Sequence, residues 1–430
     1  MKPCHPSLRS PSCPALPAEV WYHVFGFLSV EDKFSVRASC KSFRKLVDHG
    51  SLWRDWWVVL GFLRGKYNSK FWASLRRRKL HSVVVRRCRA KDWKQLAQSL
   101  PALTTLVLEH TSDARPDCLH GFPSLKRLAI RNSSTSVLLT AFTVCHPQQL
   151  THLTLCDVTF PAITTGVFIS AISQFINLTW LVCHKVGIRA MFAPMIRSIL
   201  KCLPELKHLS LSTESLIVYP LASTEPLGGD GPPLSSLELR DCASDILPED
   251  AMKLMPGLKS LALFRKLSKE GGGRTSVMWS LKTWLRALPQ LSTLVVVRGP
   301  PVFTYVASIP ASVTRLTLVS GFNTVDVEAV AARVPNLQHF HIDPWPHATQ
   351  IPKLFPKLKS LKVRLGRIPE KAFLDLHQLQ DLEILEVVGS HPHLSELAAK
   401  LRTLTKDRVQ VVTSHHKRDV LSCSCVCQAY

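Results

Sequence analysis

Residues 313–318 read VTRLTL, 337–342 read LQHFHI, 358–363 read LKSLKV and 382–387 read LEILEV. The same Leu-x-x-Leu-x-Leu frame, with related apolar residues in some copies, recurs upstream as LHSVVV at 80, LTTLVL at 103, LKRLAI at 125, LTHLTL at 150, LTWLVC at 178, LKHLSL at 206, LSSLEL at 234, LKSLAL at 258 and LSTLVV at 291. Alternating apolar residues predict a short strand in each copy. Because one copy cannot bury its apolar face alone, we expect the copies to stack around a shared core.

The copies start 21 to 33 residues apart, and this period and pattern resemble leucine-rich repeats. The segments between strands have helix-like apolar spacing at 166–175, 189–203, 276–288, 326–334 and 393–404. Two Pro/Gly-rich stretches, 217–233 and 266–275, predict exposed loops. The resemblance implies an α/β fold in which a curved solenoid of about thirteen irregular repeats spans residues 80–412.

A different pattern precedes the repeats at 16–53, LPAEVWYHVFGFLSVEDKFSVRASCKSFRKLVDHGSLW. Pro17 suits the first turn of a helix, and Ser29 with Asp32 predicts a capping box at the start of a second helix. The apolar stripe of the first helix comprises Val20, Val24 and Leu28, widened by Trp21 and Phe25. So small a helical unit carries more apolar surface than it can bury alone, which predicts a partner or an attached domain.

This segment resembles the F-box, a helical module that docks on the Skp adaptor of cullin-RING ubiquitin ligases. The positions that match are Leu16, Pro17, Glu19, Phe25, Leu28, Asp32, Cys40, Phe43, Leu46, Leu52 and Trp53, whereas Trp21 and Phe34 depart from the usual residues. The resemblance implies that the adaptor contacts Leu16, Pro17, Val20, Val24, Phe25 and Leu28. It also implies that Trp53 packs the module onto its own helices, with an F-box at 16–58 and a basic connector at 59–79.

Together the two patterns resemble the F-box/leucine-rich-repeat family, the substrate receptors of SCF-type ubiquitin ligases. That resemblance implies a three-helix F-box followed by the solenoid, and a subunit with no catalytic residue and no cofactor. Its expected partners are the Skp adaptor, the cullin scaffold, the RING subunit and an unknown protein substrate. The alternative is a leucine-rich-repeat scaffold that binds proteins without a ligase.

Strand alternation also predicts which residues a target would meet. If the repeat leucines point into the core, the residues between them project from the opposite face of the sheet. The candidate contacts are Arg127, Arg131, Trp180, His184, His208, Arg240, Phe264, Lys362 and Arg364, with Arg86, Glu109, Glu238, Arg315, His339 and His341 in the same register. Large aromatic side chains suit interface anchors, and arginines suit acidic or phosphorylated peptide. The alternative is that loops or the C-terminal tail cover this face.

Composition sets further bounds. The 430 residues are 46% hydrophobic without a run of 18 apolar residues, so no membrane span and no secretory signal is expected. The formal net charge is +23, of which residues 1–100 supply +14 (20 Lys+Arg against 6 Asp+Glu). The densest basic stretch, 64–94, is interpreted as a nuclear import signal, a patch for acidic partners or nucleic acid, or simply a solvated face. Nucleic acid is the weakest of these, because no base-reading module accompanies the charge.

The chain ends contribute little to this prediction. Residues 1–15 are expected to form a disordered arm, and 413–430 a Cys/His-rich tail with His415, His416, Cys423, Cys425 and Cys427. The tail lacks zinc-finger spacing, and Tyr430 is not the usual last residue of a prenylation box, so neither metal nor lipid is expected. Thirteen scattered cysteines suit reduced thiols in the cytoplasm or the nucleus.

Overall fold

The computed structural model describes residues 16–54, 56–62, 67–88, 90–110, 116–134, 147–189, 192–212, 231–240, 252, 255–265, 279–319, 327–343, 350–364, 370–389 and 393–414. The predicted arm, most of the two Pro/Gly-rich loops and the tail from residue 415 onward lie outside these residues. The chain divides into two compact units, one formed by 1–106 with 121–125 and one by 107–120 with 126–430.

The first unit begins with the predicted helical module. The module consists of α1 (Ala18–Gly26), α2 (Val30–Ser39), α3 (Lys41–Val47) and a 3-10 turn (Gly50–Trp53). The helices α4 (Ser69–Arg77) and α5 (Ala90–Ser99) follow it in the first unit. The side chain of Ser29 accepts a hydrogen bond from the Asp32 N–H at 3.1 Å, which confirms the predicted cap of α2. Asn68 caps α4 in the same way, accepting from the Phe71 N–H at 2.8 Å.

All thirteen repeat motifs form strands, and two further strands flank them. The strands make one parallel sheet in sequence order: β1 (Trp57–Gly61), β2 (Ser82–Arg86), β3 (Thr105–Glu109), β4 (Arg127–Ser134), β5 (His152–Thr164), β6 (Trp180–Arg189), β7 (His208–Ser212), β8 (Ser236–Arg240), β9 (Ser260–Phe264), β10 (Thr293–Val297), β11 (Arg315–Val319), β12 (His339–Asp343), β13 (Ser360–Arg364), β14 (Ile384–Val388) and β15 (Gln410–Ser414). Sequence analysis missed β1 and β15 because neither carries the leucine frame. With β1 and α4, part of the predicted basic connector is regular structure.

The repeat leucines form the core, as their spacing predicted. On β6, β7, β8 and β9 the leucines Leu181, Leu209, Leu237 and Leu261 lie in register and are fully buried. Truncating one such leucine to alanine typically costs about 2–5 kcal/mol, because a cavity adds to the lost transfer free energy. Each strand is therefore held mainly by its neighbours in the stack.

In the described part of the second unit, helices lie between several of the strands. The helices are α6 (Thr165–Ile172), α7 (Phe192–Cys202), α8 (Trp279–Arg286), α9 (Val327–Arg333), α10 (Ile351–Leu354), α11 (Glu370–Leu374) and α12 (Leu394–Thr405). The five segments with helical spacing correspond to α6, α7, α8, α9 and α12, and their boundaries shift by only a few residues.

In several motifs the residue after the first leucine is a serine or a threonine. Its hydroxyl donates to the backbone carbonyl of the matching residue one repeat earlier, at 3.0 to 3.2 Å, in Thr151, Thr179, Ser235 and Ser292. This ladder runs along the entry edge of the sheet. The hydroxyl reinforces the backbone pairing, because each of these carbonyls also accepts backbone N–H groups from the next repeat, as Lys126 does from Thr151 and His152.

Candidate functional site

The helical module has a small aromatic core. Phe25, Val47 and Trp53 are almost fully buried, and the indole N–H of Trp53 donates to the Val47 carbonyl at 2.5 Å. The Trp21 ring stacks on Phe25 with 5.3 Å between ring centroids. Trp53 thus packs the module onto its own helices, as the sequence resemblance implied.

One face of α1 exposes apolar side chains. Leu16, Val20 and Val24 are 48%, 41% and 42% exposed, and Phe27 is 79% exposed. These positions follow one another at helical spacing, so they form one stripe, named here the apolar stripe of α1. Exposed apolar side chains grouped in this way make this stripe a candidate protein-interaction surface.

The six predicted adaptor contacts differ in how deeply their side chains are buried. Pro17 is exposed beside the apolar stripe, Leu28 is half-buried, and Phe25 is 3% exposed and belongs to the core of the module. Phe25 therefore supports the stripe from beneath. Phe27 was missed by the sequence analysis, which continued the stripe from Val24 to Leu28. Phe27 follows α1 with a helical backbone conformation and is exposed, whereas Leu28 packs against the core of the module.

A buried carboxylate ties this module to α4. Asp48, 3% exposed, accepts from Arg37 Nε at 2.8 Å and Arg78 Nε at 3.0 Å, and Arg77 Nη1 lies 3.4 Å away. Burial raises the pKa of Asp48, but the hydrogen bond from Arg37 and the charge of Arg78 outweigh it and leave the pKa below its ordinary value. The Arg78 guanidinium also lies 4.3 Å from the centre of the Trp53 ring.

The second candidate site is the sheet face that carries the first, third and fifth residue of each strand, named here the variable face. All nine predicted target contacts lie at these positions, but their exposure differs. Arg127 is exposed, whereas Trp180, Phe264, Lys362 and Arg364 are half-buried. The other four are at most 8% exposed: Arg131, His184, His208 and Arg240.

Three rings on neighbouring strands stack along this face. The centroids of Trp180 and His208 are 3.5 Å apart with nearly parallel planes, and His152 stacks on the other side of Trp180 at 6.0 Å. Nδ1 of His208 lies 3.0 Å from the Ser236 hydroxyl. Burial lowers the pKa of His208 to about 4, so this imidazole is neutral at physiological pH. Trp180 therefore offers an edge, not an open ring face, to a ligand.

Several charged members of the variable face have partners on the same face. Arg131 on β4 is 3.3 Å from Glu109 on β3, and Arg240 pairs with Glu238 on its own strand while its guanidinium lies 4.2 Å from the Phe264 ring centre. Toward the C-terminus, Lys362 pairs with Glu386 at 2.8 Å and Arg364 with Asp343 at 2.9 Å, both across neighbouring strands. Such pairing stabilises the sheet and uses donors that a target would otherwise meet.

Accessibility divides the variable face into two stretches. The third strand positions from β4 to β8 are at most 7% exposed: Ala129, Thr154, Val182, Ser210 and Glu238. The same positions from β9 to β13 are all half-buried: Ala262, Val295, Thr317, His341 and Lys362. The stretch from β9 to β13 therefore offers the more accessible surface, and the exposed Arg315 lies within it.

Other kinds of site find little support among the described residues. No group of three or more His, Cys, Asp or Glu there is close enough to hold a metal ion, and the His/Cys tail lies outside this part of the chain. Among the described cysteines, Cys183 and Cys202 are free thiols. Burial raises the pKa of the Cys183 thiol to about 12, which keeps it protonated and unreactive. In the same described ranges, no helix has the length and apolar character that crossing a bilayer requires.

Comparison with known families supports the interpretation of the helical module. Residues 13–56 match the model of the F-box-like family, so the N-terminal helices form an F-box-like domain, which implies binding to a Skp-type adaptor. This domain precedes a long sheet of parallel strands, an α/β order that is consistent with an F-box/leucine-rich-repeat protein. No curated protein matches the chain.

Solved structures with repeating strands are similar to this chain at low identity. A TLR13–ssRNA13 complex matches 83% of this chain and 50% of its own, with 17% identity and a TM-score of 0.39. The Toll–Spatzle complex of Drosophila matches 83% and 55%, with 14% identity and a TM-score of 0.40. An internalin (inlF) of Listeria monocytogenes matches 94% of each chain, with 11% identity and a TM-score of 0.37. This chain spans about half the length of the TLR13 and Toll chains.

Proposed function

We propose that this protein is the substrate-recognition subunit of an SCF-type E3 ubiquitin ligase. The observation that carries the proposal is the apolar stripe of α1, which lies in an F-box-like domain and leaves Val20, Val24 and Phe27 substantially exposed. An amphipathic helix with such a stripe suits insertion of its apolar face into a groove between partner helices. The expected occupant of this face is the Skp adaptor.

The exposed stripe and the rigid core beneath it have complementary roles in this proposal. Phe25 and Trp53 hold α1 in place. Because the helix is already ordered, the exposed side chains can bind a partner without an additional cost for ordering the helix. Burying Val20, Val24 and Phe27 in a partner would contribute roughly 1.5–3 kcal/mol per fully buried side chain. Those three residues would therefore dominate adaptor binding, with Leu16 and Pro17 at the rim.

The variable face would select the target protein. The stretch from β9 to β13 supports this role best, since its strand residues are more accessible than those from β4 to β8. Of the predicted contacts, Phe264, Lys362 and Arg364 lie in this stretch, and a target would have to compete with their present partners. In the less accessible stretch, a target could still reach the exposed Arg127 on β4 and the half-buried Trp180 on β6.

In this proposal the protein contributes proximity and not chemistry. Holding a target lysine beside a conjugating enzyme turns a bimolecular transfer into an effectively intramolecular one. The cullin and the RING subunit would join through the adaptor, no residue of this chain would be catalytic, and no cofactor would be needed. The protein would act in the cytoplasm, the nucleus or both, and a fluorescent fusion of the full chain would test that.

The test is an affinity purification of the tagged full chain, followed by detection of the Skp adaptor and a neddylated cullin. The informative variant is Val20→Ala/Val24→Ala, and the matched control is Val167→Ala/Ile176→Ala, which truncates exposed apolar side chains far along the sequence. We expect wild type and control to retain both partners and the α1 variant to lose both.

Two other outcomes would contradict the proposal. Recovery of the adaptor without cullin would favour the alternative, a repeat scaffold that pairs with the adaptor but acts without a ligase. Equal recovery of both partners by wild type and the α1 variant would show that the apolar stripe is not the docking face.

A further inference from the structure

A second surface of the helical module is strongly basic and plays no part in the proposed adaptor contact. On α3, the exposed Lys41, Arg44 and Lys45 occupy positions i, i+3 and i+4, and Asp48 follows at i+7. Residues at this spacing share one helix face. The exposed cations of α3 therefore lead directly to the buried Asp48 cluster.

The C-terminal end of α4 adds further cations at the same place. Arg77 reaches Asp48 at 3.4 Å while its side chain stays 60% exposed. The Lys79 side chain lies against Gly50, since a Cβ atom at Gly50 would be only 3.2 Å from it. Arg76, one residue before Arg77 in the last turn of α4, is exposed. The ends of α3 and α4 thus form one surface, and we name its cations the basic face: Arg37, Lys41, Arg44, Lys45, Arg76, Arg77 and Lys79.

The basic face has far more positive than negative charge. Asp48 is the acid that touches it, and three guanidinium groups already share that single carboxylate. In the described part of the chain, no carboxylate pairs with the side chains of Arg44, Lys45, Arg76 or Lys79. Grouped cations with so little compensation create a local positive potential that attracts anions.

We propose that the basic face binds an acidic segment of a partner protein, in which several Asp or Glu carboxylates lie close together. The Asp48 cluster shows that guanidinium groups at this position already coordinate a carboxylate. Arg37 is 29% exposed and Arg77 60% exposed at their side chains, so both retain solvent-accessible surface beside the buried carboxylate. Additional carboxylates would complete an arrangement that one acid alone leaves positively charged.

The rings near this face favour a peptide over a nucleic acid. Single-stranded nucleic acid binds through open aromatic faces as well as charge. Here the Arg78 guanidinium lies 4.3 Å from the centroid of the buried Trp53 ring, and Tyr22 stacks on His49 at 4.4 Å, whereas Phe34 stays 41% exposed. Base stacking on Trp53, Tyr22 or His49 would have to displace these contacts, which leaves Phe34 as the accessible ring at this place.

The test measures fluorescence anisotropy of a labelled, Glu-rich synthetic peptide titrated with the purified full chain. A peptide of the same length with Gln in place of Glu controls for length, and a single-stranded oligonucleotide of equal charge tests the nucleic-acid reading. The informative variant is Arg44→Ala/Lys45→Ala/Arg76→Ala, which leaves the Asp48 contacts intact. The matched control, Lys126→Ala/Lys201→Ala/Lys259→Ala, removes the same charge from exposed positions of the second unit.

We expect the Glu-rich peptide, but not the Gln peptide, to bind wild type, with an affinity that falls as salt rises. The α3/α4 variant should weaken binding roughly tenfold, whereas the control should change it less than about twofold, since steering depends on local charge. Equal losses in both variants, or no binding to the Glu-rich peptide, would overturn the proposal. Tighter binding of the oligonucleotide, with the same sensitivity to Arg44, Lys45 and Arg76, would assign the face to nucleic acid instead. Circular dichroism of each variant confirms that it is folded.

Discussion

The apolar stripe of α1 and the variable face of the sheet handle exposed side chains in opposite ways. Val20, Val24 and Phe27 project apolar carbon at 41–79% exposure, over a core that is already closed beneath them. On the variable face, charged and aromatic residues are paired with one another across strands, as in Arg131 with Glu109. One surface is left incomplete within the described chain, and the other is largely self-satisfied.

This contrast indicates how each surface would bind. Apolar side chains gain free energy whenever a partner removes them from water, so the stripe needs little from its partner except a matching groove. Paired polar groups gain only if the partner replaces the interactions it breaks. Binding on the variable face should therefore be selective and weaker, which is the behaviour expected of a surface that chooses among targets.

The largest expected effect is a loss of stability that differs between the helical module and the sheet. Trp53→Ala removes a fully buried indole, its bond to Val47 and its contact with Arg78, and should destabilise the module by about 3–5 kcal/mol. Leu237→Ala, in the sheet core, is the matched variant for the second unit. Urea unfolding followed by circular dichroism should show each substitution shifting a different part of the transition. A single unfolding transition that both substitutions shift equally would contradict separate unfolding of the two units.

A smaller effect is expected at the carboxylate that joins α3 to α4. Asp48→Asn should destabilise the protein by about 2 kcal/mol near pH 7, less than for a fully buried pair because Arg37 and Arg77 are partly solvated. Since the folded-state pKa of Asp48 is below its ordinary value, its contribution is present above about pH 4 and disappears as pH falls through the folded-state pKa. Thermal unfolding of both proteins across pH should show the difference shrinking in acid. A difference that stays constant down to pH 2 would refute this role.

On the variable face, His208 should also cost stability in acid, but over a higher pH range than Asp48. Its folded pKa of about 4 lies below the value of about 6.5 expected in the unfolded chain, so acid protonates the unfolded state first. Stability should therefore fall as pH drops from about 6.5 to about 4, and His208→Gln should flatten that part of the curve. His377→Gln changes an exposed histidine and serves as the control. Identical slopes for both variants would show that the stacked ring column is not buried as described.

Much of this architecture follows directly from the sequence. Leucines at a regular spacing predict every repeat strand, because their burial depends only on strand alternation and stacking. Strands β1 and β15 escaped prediction because Trp57–Gly61 and Gln410–Ser414 alternate without the leucine frame and are placed by pairing with β2 and β14. The alternation predicted the face on which target contacts lie but not their exposure.

That exposure depends on residues one repeat away in sequence. Arg240 is buried partly because Phe264 on the next strand lies against it, and His208 because Trp180 stacks on it. Such cross-strand partners are set by register between repeats and are not visible within one motif. Phe27 was missed for a different reason: helical spacing allows either Phe27 or Leu28 to continue the stripe, and the packing of Leu28 against the core of the module decides between them.

The most direct test of the account is a calorimetric titration of the purified full chain with purified Skp adaptor, comparing wild type with Val24→Asp/Phe27→Asp and with Arg315→Ala/Lys362→Ala. The account predicts tight binding for wild type, the same affinity for the variable-face variant, and loss of measurable binding for the α1 variant, whose thermal stability should stay close to that of wild type. If the α1 variant bound as tightly as wild type, or if the variable-face variant alone lost binding, the apolar stripe would not be the adaptor-binding surface.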